Sequence, residues 1–148
     1  MKTPIFALFT ILAFSGLVSA KSLKLSTLPP IVQKTINENL KGAEIKNIAK
    51  EVEKGVTQYE VESILNGKHR DFNVDAKGAL IVVEQEVDIN TIPAAAKAAI
   101  EKKATGATIT MVETVTKGQT VNYEAILKSK FGKKSTLLVN AAGTEVKD

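Results

Sequence analysis

The chain has 148 residues, with 20 Lys and Arg against 16 Asp and Glu, a net charge of +4, 44% hydrophobic and 24% charged residues. This is the balance of one ordinary globular domain or two very small ones, and it excludes a disordered chain. With no Cys, no Trp and one His, most nucleophilic and metal-binding constellations cannot be assembled, so the expectation is a protein that is not an enzyme, with no catalytic, cofactor or metal site. The positive charge is almost entirely lysine and is interleaved with acids; Arg70 is the only arginine. Base readout and phosphate forks favour arginine and stacking needs aromatics, so no nucleic-acid partner is expected.

The N-terminus reads as an address. Met1-Lys2 is a short positive region, Ile5 to Val18 is apolar, and Val18-Ser19-Ala20 has the small residues that precede a signal-peptidase cut. We therefore expect a Sec signal peptide at 1–20 cleaved after Ala20, a periplasmic or secreted protein, and no transmembrane segment after cleavage. Removing Lys2 lowers the charge to +3.

Blocks of the remaining sequence recur in order. Thr27-Leu28-Pro29 returns as Thr91-Ile92-Pro93, Ile36 as Ile100, Gly42-Ala43 as Gly106-Ala107 and Ile45 as Ile109, all 64 positions apart. Tyr59-Glu60 then matches Tyr123-Glu124, and Val74 to Gly78 matches Val139 to Gly143. The expected organisation is two repeats, 21–88 and 89–148, forming one structural unit, because about 60 residues alone make a marginal core.

In chain order, Thr27 and Pro29 predict a helix start, with the Thr hydroxyl accepting from a free N–H. Val32, Ile36 and Leu40 share one helical face, as do Ala96 and Ile100; Gly42 and Gly106 stop the two helices. Strands follow. The apolar phase slips between Ile45 and Ile48, predicting a β-bulge near Asn47. In 57–65, Tyr59, Val61 and Leu65 oppose Gln58, Glu60, Glu62 and Ile64; in 120–128, Tyr123, Ala125 and Leu127 oppose Asn122, Glu124, Ile126 and Lys128. Asn66-Gly67 predicts a hairpin into a strand bearing Phe72 and Val74. Asp75 to Gly78 turns into 79–87, read as a central strand, and Asn140 to Gly143 turns into a short strand at 144–147. The predicted class is α+β, a helix plus four antiparallel strands used twice in tandem.

The Leu28-Pro29 start, Gly42-Ala43-Glu44-Ile45, Tyr59-Glu60-Val61-Glu62 and Phe72-Asn73-Val74-Asp75-Ala76-Lys77-Gly78 make the chain resemble the PepSY-like family, from about Leu25 to Val146. These are small exported domains related to peptidase propeptides and to the tandem-repeat β-lactamase inhibitor protein. The resemblance implies that the two repeats share one curved antiparallel sheet with both helices on one face. It also implies a non-catalytic extracytoplasmic protein whose sheet face binds a polypeptide. Inhibition of β-lactamase itself is not supported, since that inhibitor uses disulfides and aromatic contacts whereas this chain has no Cys and 5% aromatics.

The expected function is an exported binding protein, a peptidase or enzyme inhibitor or a propeptide-like regulator, whose partner is another envelope or secreted protein. The expected protein-binding residues are Glu60, Glu62, Asn122, Glu124, Ile126 and Lys128 on the outer row. The alternative is an envelope structural or stress protein binding a small ligand or a divalent cation through Glu51, Glu53, Glu60 and Glu62. Lone His69 lacks partners for zinc. Lys128, Lys130, Lys133 and Lys134 around Phe131 form the most basic segment, suited to an anionic lipid, an acidic protein or a solvated loop.

Overall fold

A computed structural model of the chain describes residues 22–53 and 55–147; the expected signal peptide at 1–20 lies outside the described residues. A short 3-10 turn, Leu25–Thr27, leads into α1 (Pro30–Leu40), followed by β1 (Glu44–Glu53), β2 (Val56–Leu65), β3 (Lys68–Asp75) and β4 (Leu80–Glu86). A second 3-10 turn, Ile89–Thr91, leads into α2 (Ala94–Lys103), β5 (Ala107–Lys117), β6 (Thr120–Ser129) and β7 (Lys134–Val139). The strands lie in one seven-stranded sheet in sequence order, and the pairings β1–β2, β2–β3, β3–β4 and β6–β7 are antiparallel.

This corrects the expectation of two tandem helix-plus-four-strand repeats. Among the described residues the fold is a mostly-sheet α+β arrangement with one sheet and two α-helices, and three strands follow α2. The residues expected to form an eighth strand make one isolated bridge, Val139 with Glu145. That segment offers a single half-buried apolar residue, Val146, between exposed Glu145 and Lys147, too little to hold a ladder.

By its contacts the chain divides into two compact units, one made of 22–86 with 114–121 and the other of 87–113 with 122–147. In the first, Val32, Ile36, Ile48, Val61, Phe72 and Val74 are almost fully buried together with Leu28 and Tyr59. These are the apolar stripe of α1 and the inward alternate rows of β1, β2 and β3, and each aliphatic or aromatic side chain so buried contributes about 1.5–3 kcal/mol. In the second, Ile92, Ala96, Ile100 and Ala104 pack on Val112, Ala125, Leu127, Leu137 and Val139.

Local chemistry explains the element ends. Pro29 and Pro93 occupy the N-cap positions without side-chain capping. The expected Thr caps are not formed: Thr27 and Thr91 belong to the preceding 3-10 turns, where their hydroxyls donate to the Lys24 and Asp88 carbonyls. α1 ends through Lys41 in the left-handed region and Gly42 at φ 90°. Asn66 and Gly67, with φ of 52° and 80°, make the two-residue turn between β2 and β3. The register shift in β1 falls between Ile45 and Asn47, as the phase slip predicts.

Two turns dock on helices in the same manner. Asp75 Oδ1 accepts from the N–H groups of Lys77 and Ala79, and Asn140 Oδ1 from those of Ala142 and Thr144. Each turn brings a glycine against the first turn of a helix. A Cβ on Gly78 would lie 2.5 Å from Ile31 Cγ1, and one on Gly143 2.5 Å from the Ala95 carbonyl oxygen. The Gly78 carbonyl in turn accepts from Thr35 Oγ1 at 2.6 Å.

Candidate functional site

The sole arginine is structural. Arg70, on the α1-facing side of β3, is 7% exposed. Its Nε and Nη2 donate to the Asn39 carbonyl at 3.2 and 3.1 Å, and its Nη1 donates to Gln85 Oε1 at 3.2 Å. The α1 C-terminus has no basic residue of its own in its last turn, so β3 supplies the cation that its free carbonyls and dipole favour. Burial lowers the pKa of the guanidinium below its ordinary value.

The other face of β1–β3 is acidic. Alternation that sends Tyr59, Val61, Phe72 and Val74 to the α1 core sends Gln58, Glu60, Glu62, Asp71 and Asn73 the other way. The register sets Glu60 between Ala49 and Asn73, Glu62 beside Asn47, and Glu51 beside Gln58. Glu51, Glu60, Glu62 and Asp71 therefore share one face over three adjacent strands. Asn47 Nδ2 donates to Glu62 Oε1 at 3.2 Å, and the Ser63 N–H donates to Asp71 Oδ1 at 2.9 Å. The Ser63 hydroxyl donates to the Arg70 carbonyl. Among the described residues the ion pairs are Lys34–Glu38, Lys46–Glu44, Lys97–Glu101 and Lys103–Glu145, so no lysine neutralises these four acids.

The consequence is a carboxyl group that titrates near neutrality. Glu60 is pushed up from its ordinary 4.5 to about 7, first by burial, then by the charges of Glu51 and Glu62, a hydrogen bond with Glu51 and the charge of Asp71. Asp71 is also raised, by burial and by Glu62, against the opposing pull of the Ser63 N–H and His69. At neutral pH the Glu60 carboxyl is close to half protonated and can donate or accept.

The expected site residues fall into two sets. Glu60 and Glu62 are half-buried on β2. Asn122, Glu124, Ile126 and Lys128 share the face of β6 opposite the Ala125–Leu127 core row, but their exposure differs: Glu124 is 3% exposed, Asn122 and Ile126 are half-buried, and Lys128 is exposed. Glu124 pairs across to Leu138, Ile126 to Thr136 and Lys128 to Lys134. Of the expected row on β6, Lys128 is thus the residue open to a partner. Asp71 was missing from the expected set, although its alternation with Phe72 and Val74 placed it on this face.

His69 is exposed at the mouth of the β2–β3 hairpin, where its N–H donates to Glu86 Oε2. Among the described residues no group of three or more His, Cys, Asp or Glu is arranged to hold a metal ion, and no helix is long and apolar enough to cross a membrane.

No family model matches the chain, and no curated protein matches its sequence. Solved structures do match its fold. A candidate periplasmic protein of Bacteroides eggerthii is similar with a TM-score of 0.65 at 14% identity, over 81% of this chain and 86% of that one. A DUF2874 family protein of Bacteroides ovatus gives 0.63 at 16% identity, over 82% and 86%. A BLIP-like protein of Bacteroides fragilis gives 0.59 at 18% identity, over 81% and 84%. At such identities the likeness is one of fold, and the chain has the fold of these BLIP-like and DUF2874 structures.

Proposed function

We propose that the protein is an exported, non-catalytic binding protein that engages a cationic polypeptide through the acidic face of β1–β3. The observation that carries this reading is the gathering of Glu51, Glu60, Glu62 and Asp71 on one sheet face with no ion pair to a lysine among the described residues. Like charges held together cost stability, and a cationic side chain from a partner would relieve that cost. The N-terminal sequence supports export and cleavage after Ala20, and the fold is shared with a candidate periplasmic protein and a BLIP-like protein. In the finer form of the proposal the chain is a PepSY-like module, and the partner is an envelope or secreted enzyme, a peptidase above all, that it inhibits or regulates. Glu60 and Glu62 supply the contact on β2.

The test is retention of envelope proteins on immobilised wild-type protein and on a Glu60→Lys/Glu62→Lys variant that keeps the wild-type melting temperature. One partner, retained saturably by the wild type and lost by the variant, is expected. Retention of nothing, or retention indifferent to charge reversal, would remove the proposal. Assay of the retained protein's own activity with and without the binder then decides between inhibition and mere association.

A further inference from the structure

We propose that the β6–β7 hairpin tip is a docking device for an anionic phospholipid surface, with Phe131 as the inserted group and Lys128, Lys130, Lys133 and Lys134 as the headgroup contacts. The tip is built to hold Phe131 out. The Gly132 N–H donates to the Ser129 carbonyl at 2.8 Å, the Ser129 N–H to the Lys133 carbonyl at 2.9 Å, and the Lys133 N–H to Ser129 Oγ at 3.1 Å. Gly132 at φ 82° closes the turn. Phe131 is left 86% exposed, with Lys130 Nζ 5.0 Å from its ring centroid.

Nothing in the fold requires this arrangement. Lys128 and Lys134 lie directly opposite each other on β6 and β7, a like-charge pair that works against the hairpin. No acid occurs between Glu124 and Glu145, and among the described residues none of the four lysines is in an ion pair. The charge and the aromatic ring are therefore both directed at something outside the chain.

The residue types favour lipid over protein as that target. Protein interfaces concentrate Arg, Tyr and Trp and are depleted in Lys, because planar bidentate groups recognise fixed acceptors. Compact ammonium groups on flexible stems neutralise a fluid layer of phosphate headgroups without requiring fixed geometry, and can spread while one ring enters the interface. Each lysine near such a surface strengthens binding about fivefold, so three of them contribute about a hundredfold.

The chain has no Trp, so Phe131→Trp places a single emission probe at the tip. The protein as recovered from producing cells would be titrated with vesicles of phosphatidylcholine alone and of phosphatidylcholine with phosphatidylglycerol. The expected result is a blue shift with the anionic vesicles only, reversed by salt. Adding Lys130→Gln, Lys133→Gln and Lys134→Gln is expected to weaken that partition about a hundredfold, and Phe131→Ser to reduce co-sedimentation of the otherwise wild-type protein. No shift, an equal shift on neutral vesicles, or a shift that survives loss of the lysines overturns the proposal. So does a shift produced by soluble polyglutamate but by no vesicle, which would assign the tip to an acidic protein.

Discussion

Replacing Arg70 should unfasten the C-terminus of α1 from the sheet. The guanidinium makes three hydrogen bonds from a nearly buried position, two to the Asn39 carbonyl and one to Gln85. Hydrogen bonds that involve a charged group are worth about 1.5–3 kcal/mol each when a partner is left unsatisfied. The two to Asn39 share one acceptor and will not add fully, so Arg70→Ala should cost about 3–4 kcal/mol. Arg70→Lys keeps the charge near the helix end but cannot reach both acceptors with the fork geometry, and should cost about 2 kcal/mol. For a protein of this size 1 kcal/mol moves the melting temperature by roughly 3–5 °C, so drops of about 10 °C or more and about 6–10 °C are expected by calorimetry. A cycle with Gln85→Ala should return a coupling of about 0.5–3 kcal/mol. Arg70→Ala melting within about 2 °C of wild type, against the drop of about 10 °C or more expected, would refute the assignment of the arginine as a tether.

Stability should also depend on pH through Glu60. Its folded pKa, about 7, lies above the ordinary 4.5, so the stabilising proton is held in full below about 4.5 and is lost as pH rises through 7. Glu60 keeps some contact with solvent, and the screened effect is about 1–2 kcal/mol. Denaturant titrations of wild type should show stability falling from pH 5 to pH 8, and Glu60→Gln should flatten most of that slope. Three of the positive-φ glycines, Gly143, Gly78 and Gly132, give a graded series. Gly143→Ala forces a methyl onto the Ala95 backbone oxygen and should cost about 2–4 kcal/mol. Gly78→Ala meets mainly the Ile31 side chain and should cost about 1–3 kcal/mol. Gly132→Ala meets nothing within 4 Å and should cost about 1 kcal/mol, the conformational penalty alone. Equal losses across the three by chemical denaturation would contradict the docking of the Gly78 and Gly143 turns on the helices.

Several parts of the fold were legible because they depend on neighbours in sequence. Asn66-Gly67 can adopt the two positive φ angles that its turn needs, the alternation around Val61 identifies a half-buried strand, and the phase slip after Ile45 marks the bulge. Periodicity also put Glu60 and Glu62 on the face away from the core. What it could not supply is whatever covers a face. Gln58, Glu84 and Glu124 are nearly fully buried although each alternates out of the apolar core rows. The same limit hid Arg70, whose partners lie 31 and 15 positions away. The Thr-Pro pairs were misassigned because a Thr before a helix has two local uses, and here the 3-10 carbonyls take the hydroxyls. The eighth strand failed because a turn motif matching Asp75 to Gly78 says where the chain reverses, not that enough apolar residues follow to extend the sheet.

The acidic face of β1–β3 is the core of the account, and the affinity for the retained envelope partner at pH 6 and pH 8 tests it most directly. Ionisation of Glu60 between those values adds a negative charge to the face, so wild type should bind a cationic partner up to about tenfold tighter at pH 8. Glu60→Gln should remove that difference and Glu60→Lys/Glu62→Lys should abolish binding. An affinity independent of pH in the wild type, or binding untouched by both substitutions, would contradict the claim that this face is where the protein works.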